Sequence, residues 1–109
     1  MRTRLRRGGV WWAELAGDAG FRPVVLVSRQ DKLARRTSVT IAEVTRRVRG
    51  TPSEVPLDLA DGVPVACVVN CDAIHTILID QLRARITVLA SDAVEEINSA
   101  LRFSLGLDL

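Results

Sequence analysis

Arg22 stands directly before Pro23 and the apolar run Val24 to Val27, and Thr45 closes a second apolar stretch 23 residues later. A guanidinium offers five fixed N–H donors and a threonine one hydroxyl. Both suit the oxygens of a phosphate. Arginine stays protonated at any ordinary pH, so its work there is electrostatic: it steadies charge that grows on phosphoryl oxygens. The other reactive groups offer less. His75 is the only histidine, alternates with Ala73 and Ile77 in AIHTI, and reads as a contact or structural residue. No Ser-His-Asp order has useful spacing, no glycine-rich phosphate loop is present, and Asp58, Asp61 and Asp72 form no calcium motif. Cys67 and Cys71 have neither redox nor zinc spacing. In a strand they would face one side, roughly 13 Å apart, which is beyond disulfide reach; they read as small apolar fillers. The expectation is chemistry without metal or cofactor.

Such chemistry needs a nucleophile, and RNA supplies its own in the 2′-hydroxyl. Attack of that oxygen on the adjacent phosphate requires in-line positioning and charge stabilisation more than anything else. The charge map agrees with a polyanion. Residues 1–55 hold twelve basic and five acidic side chains, a surplus of +7, whereas residues 56–109 hold three and eight, −5. Fourteen of the fifteen cations are arginine, whose planar fork matches phosphate better than a lysine ammonium does. One basic face therefore expects an anionic partner.

Strands must hold these side chains. Val10–Leu15, Pro23–Ser28 and Ser38–Val44 read as strands, with a turn at Gly17, Asp18 and Gly20 and a cationic loop over 29–37. The adjacent Trp11 and Trp12 should point to opposite faces. Ser53–Leu57, between two prolines, reads as an edge strand. Val65–Asn70, Ala73–Ile79 and Ile86–Leu89 follow. The period then becomes helical: Ser91 as cap, Val94, Ile97, Leu101 and Leu105 on one face beside Ala93 and Ala100, and Gly106 as stop. The expected fold is α+β, a small antiparallel β-barrel of five to seven strands with a C-terminal amphipathic helix. The length fits a single domain over residues 1–109. No apolar run approaches the ~20 residues of a membrane span, and the basic start leads into VWWAEL rather than a signal-peptide core. A cytoplasmic protein is expected.

Five stretches, in order and at matching spacing, give the chain a family resemblance: RRGGVWWAEL, FRPVVLVSRQD, SVTIAEVTRRVRGTPSEVPL, DGVPVACVVNCDAIHTI and LRARITVLASDAVEEINSALRFSLGL. Together they resemble the MazF/PemK family of toxin endoribonucleases from bacterial toxin–antitoxin pairs. The resemblance implies an SH3-like barrel, a homodimer, and metal-independent cleavage of single-stranded RNA at short sequences, leaving 2′,3′-cyclic phosphate and 5′-hydroxyl ends. It puts the family's catalytic arginine on Arg22 and its threonine on Thr45. It implies RNA contacts from Ser28, Arg29, Arg46, Arg47, Asn70 and His75, the last standing where an arginine is usual. It also implies an antitoxin whose acidic, disordered segment folds onto the basic face. Two other readings stay open: a non-catalytic nucleic-acid-binding barrel, which four aromatics and no tyrosine make a poor stacking platform, and a gyrase-targeting toxin of the CcdB-like kind, which would not need Arg22 with Thr45.

Overall fold

The computed structural model describes residues 5–15, 17, 20–33 and 37–107. Six antiparallel strands, β1 (Gly9–Leu15), β2 (Gly20–Leu26), β3 (Ser38–Thr45), β4 (Glu54–Leu57), β5 (Cys67–Leu78) and β6 (Leu82–Val88), form one sheet in the order β4-β5-β3-β2-β1-β6. A single helical turn, α1 (Gln30–Leu33), links β2 to β3, and α2 (Ser91–Ser104) follows β6. This is the α+β arrangement that the patterning predicts, a curled antiparallel sheet with its helix at the end. The expected turn between β1 and β2 has Gly17 and Gly20 at φ +70° and +61°, where only glycine sits without strain; its Asp18 lies outside the described residues.

Alternation along the strands divides the apolar side chains between two faces. On one face, Val10, Val25, Ala42, Val44, Val69 and Cys71 pack against Ala93, Ile97 and Ala100 of α2. On the other, Trp11, Ala13, Val24, Leu26, Val39 and Ile41 gather with Leu5, Leu33 and Ile77. Hence Trp11 is buried while Trp12 is 39% exposed, the division that adjacent positions in a strand require. Val24, Val25 and Leu26 are all fully buried because β2 is covered on both faces. Both cysteines are free and lie in the helix-side core. Burial pushes the Cys71 thiol up to about 11, with the Asp72 carboxylate adding to the rise, so it stays a protonated core group.

Several boundaries differ from the sequence reading. β2 begins at Gly20, so Arg22 sits inside the strand opposite Ala13 rather than at its mouth. Proline is tolerated there because pairing with β3 starts only at Val24, leaving no ladder bond on that side for Pro23 to miss. The two β runs around residue 71 are one strand, β5, whose register with β3 shifts between Ala42 and Glu43. The loop over 29–37 contains α1, whose Leu33 is 3% exposed; Arg35 and Arg36 of that loop lie outside the described residues. Ser91 is the first residue of α2, and no side chain caps the preceding Ala90. Leu105 is 58% exposed: the helix ends a residue earlier, where Gly106 at φ +70° and Leu107 donate back to Phe103 and Arg102 carbonyls.

Two local devices close the structure. Asp58 caps the 3-10 turn Leu59–Asp61, and Gly62 ends it at φ +97°. A Cβ on Gly62 would stand 2.5 Å from the Thr87 hydroxyl on β6. We predict that Gly62→Ala costs about 1–3 kcal/mol through the left-handed backbone alone, plus displacement of Thr87; urea titration measures it, and an unchanged midpoint would refute the close approach. The second device is Asp72. Its Oδ2 accepts from Ser53 Oγ at 2.5 Å and its Oδ1 from Ser104 Oγ at 2.8 Å, tying the turn before β4 and the end of α2 to β5. These two hydroxyls, Ser53 foremost, with help from Arg49, hold the Asp72 carboxyl below its ordinary value against a small burial effect. A depressed carboxyl favours the fold fully above the unfolded-state value near ~3.9, and that contribution disappears as pH falls through the lower folded value. Thermal midpoints recorded from about pH 6 down to about pH 2 should therefore fall less steeply in Asp72→Asn than in the unsubstituted chain.

Candidate active site

The β2–β3 register pairs Val24 with Glu43, Val25 with Ala42 and Leu26 with Ile41. Continued two residues toward the strand ends, it sets Arg22 opposite Thr45. Rigid ladder on either side, β1 against β2 and β5 against β3, holds both positions, since Arg22 pairs with Ala13 and Thr45 with Val68. The two side chains then share the walls of two adjoining hollows.

The larger hollow, about 520 Å³, has an apolar floor of Val10, Val44, Val63, Cys67 and Ile86. Trp12 and Phe21 flank it, 39% and 61% exposed, with Val65 beside them. Arg22, Thr45, Arg46 and Arg47 supply its polar rim. The smaller hollow, about 190 Å³, is lined by Arg22, Glu43, Thr45, Arg47, Arg49 and Asn70. An apolar, aromatic-flanked space thus adjoins a cationic one, with Arg22, Thr45 and Arg47 between them. A nucleotide has the same two halves: a base with an apolar face, and a phosphate that wants cations and fixed donors. Although the chain has few aromatics, two of its four stand here.

The basic segment after β3 owes its shape to acceptors of its own chain. Thr45 Oγ1 accepts the Arg47 N–H at 3.1 Å, a local turn that threonine favours. Glu54, at the start of β4, accepts the Arg49 N–H at 3.0 and 3.1 Å and the Gly50 N–H at 2.8 Å. Gly50 adopts φ +76°, so consecutive N–H groups converge on one carboxylate. Asn70 Oδ1 accepts from the Asp72 N–H at 3.0 Å, which leaves its amide N–H groups for the hollow.

Of the side chains singled out from sequence, Arg22, Thr45, Arg46, Arg47 and Asn70 come together on these two walls. Ser28 does not: it is 6% exposed and its hydroxyl accepts the Thr40 N–H at 2.7 Å, which joins the end of β2 to β3. Arg29 also lies off both walls and pairs with Asp31 at 3.0 Å on the open surface. His75 meets the site through one intermediary, Nε2 lying 2.5 Å from Glu43 Oε2. Sequence reading missed Glu43, Arg49, Trp12 and Phe21. For Arg49 the signal was its place in the basic run; for Glu43 it was its parity with Thr45 on one strand. Among the described residues no cluster of His, Cys, Asp and Glu could hold a metal ion. Among the same residues, no helix is long and apolar enough to cross a membrane.

Residues 6–105 match the family model described as PemK-like, MazF-like toxin of type II toxin–antitoxin system. Two curated relatives come from Mycobacterium tuberculosis strain H37Rv. The probable endoribonuclease MazF2 is 39% identical over 103 residues, covering 94% of this chain and 99% of its own. The probable endoribonuclease MazF5 is 35% identical over 100 residues, covering 91% of each. Among solved structures, the Mycobacterium tuberculosis toxin MazF-mt6 superimposes with a TM-score of 0.84 at 31% identity, over 93% of this chain and 99% of that one. A mycobacterial endoribonuclease in complex with its cognate antitoxin gives 0.86 at 27% identity, over 96% and 98%.

Proposed function

The chain belongs to the PemK-like, MazF-like toxins of type II toxin–antitoxin systems, and we propose from this that it is an endoribonuclease that cuts single-stranded RNA without metal. The observation that carries the reading is the wall shared by Arg22 and Thr45 between an apolar and a cationic hollow. A base seats against Trp12 and Phe21, and the next phosphate meets Arg22, Arg46, Arg47 and Arg49. The 2′-oxygen attacks the phosphorus while the 5′-oxygen leaves, so the products are a 2′,3′-cyclic phosphate and a 5′-hydroxyl. Charge builds on the non-bridging oxygens, and Arg22 answers it with fixed donors. Thr45 adds a hydroxyl beside the same oxygens. Asn70, on the wall of the smaller hollow, contacts the chain next to the scissile bond.

The partners follow from the same surface. The related mycobacterial endoribonuclease is seen in complex with a cognate antitoxin; the antitoxin of this chain covers the arginine-lined walls with an acidic segment that folds as it binds. The chain works as a homodimer in the cytoplasm. The test is incubation of the purified protein with mixed single-stranded RNA in EDTA, beside Arg22→Ala and Thr45→Ala, with mapping of cut sites and end groups. Discrete cuts bearing cyclic phosphates, lost in both variants, are expected. RNA held but not cut would point to a binding module instead, and neither binding nor cutting to a protein target.

A further inference from the structure

Attack by a 2′-hydroxyl releases a proton, and few groups around Arg22 could take it. Arg22, Arg46, Arg47 and Arg49 are permanently protonated. The Cys67 thiol at the cavity floor is raised by burial, and Asn70 has no basic atom. Glu54 is engaged by the Arg49 and Gly50 N–H groups, and Asp72 by two serine hydroxyls; neither lines the two hollows. Among the described residues, Glu43 is the only carboxylate on either wall. It is also held. Its Oε2 lies 2.5 Å from His75 Nε2, reached from β5 across the sheet, where His75 stands opposite Ile41. Oε1 remains for the hollow that Glu43 shares with Arg22, Thr45, Arg47, Arg49 and Asn70. A negative charge among three arginines weakens phosphate binding there, so phosphate affinity does not explain its presence.

We propose that Glu43 is the general base of the cleavage reaction and that His75 is the positioning residue that fixes it; this rests on the nuclease reading above. Glu43 Oε1 takes the proton of the 2′-hydroxyl as the 2′-oxygen bonds to phosphorus. The bond from phosphorus to the 5′-oxygen breaks with its electron pair on that oxygen, which takes a proton from water. Glu43 then returns its own proton to water, so no net proton or water is consumed. The His75 N–H fixes the carboxylate orientation by holding Oε2. The titratable and charged groups facing Glu43 are His75 from β5, Arg22 from β2, and Arg47 and Arg49 from the segment after β3.

Single-turnover cleavage of one RNA substrate, followed between about pH 5 and 9, tests this in the unsubstituted chain, Glu43→Gln, His75→Ala and His75→Gln. Binding of the same sequence with a 2′-deoxy group at the cut site is measured alongside. Glu43→Gln should cleave at least about 10²-fold more slowly, bind the deoxy substrate no less tightly, and lose the acid limb. His75→Ala should slow cleavage and move the limb, and His75→Gln, which keeps an N–H donor, should recover most of the rate. A Glu43→Gln rate within a factor of about three of the unsubstituted chain, with the limb intact, overturns the assignment. So does a parallel loss of rate, binding and melting temperature, which marks a structural role. If Arg22→Ala is inactive while Glu43→Gln cleaves normally, only the base assignment fails; if the unsubstituted chain cuts no RNA, the nuclease reading fails and takes the assignment with it.

Discussion

Arg22→Ala is expected to lower the cleavage rate at saturating RNA by at least about 10²–10³-fold, the usual cost of removing one preorganised donor from a developing oxyanion. The loss should fall on catalysis more than on binding, because Arg46, Arg47 and Arg49 still hold the phosphate chain. Arg22→Lys should recover little. An ammonium replaces the charge but not the planar fork that spans two oxygens. The melting temperature should hardly move in either variant, because the Arg22 side chain is exposed and packs no core. Single-turnover rates with saturating RNA, read beside a thermal melt, separate the two effects. An Arg22→Ala protein that cuts normally would remove the electrostatic account of this site altogether.

The largest effect on stability should come from Ile97→Ala. Ile97 is 2% exposed and sits between Ala93 and Ala100 on the face that α2 turns to the sheet. Its neighbours on the helix are small, so its side chain supplies most of the large apolar volume that α2 buries fully. Truncation leaves a cavity between two rigid layers and should cost about 2–5 kcal/mol. That is a large part of the ~5–15 kcal/mol typical of a domain, and the melting midpoint should drop by at least about 10 °C. Glu96→Ala, on the exposed side of the same helix, should change stability by no more than about 0.5 kcal/mol. Equal effects from the two substitutions would mean that α2 is not docked as described.

Much of this was legible in the sequence because local chemistry agreed with the global fold. Period-two alternation placed β1 and β3 and divided the two tryptophans. Flanking prolines identified β4 as an edge, and helical spacing found α2 to within two residues at its end. The phosphate argument, with the family resemblance beside it, led to Arg22 and Thr45, which share a wall because of the β2–β3 register. What stayed hidden depends on pairing across distance. The span of β5 was obscured by its register shift, which interrupts alternation between Asn70 and Ile74. Pro23 concealed the first half of β2, since nothing local says that the missing N–H faces an unpaired side. The Glu43–His75 contact joins residues 32 positions apart, and only the β3–β5 register brings them together. The family resemblance put Ser28 and Arg29 among the RNA contacts. The chain has left the sheet there, however, and Ser28 turns its hydroxyl back to β3.

The pairing of β1 with β6 joins Gly9 to Val88 and Ala13 to Leu82, strands with the other four between them in the chain. Contacts of such sequence separation form late, because a long loop must close before they give anything back. The larger hollow takes Trp12 from β1 and Ile86 from β6, so it does not exist until that seam has zipped. A chain still emerging from the ribosome carries Arg22 and Thr45 early but lacks the floor against which a base would seat. The apolar half of the site is thus complete only once the sixth strand has reached the first.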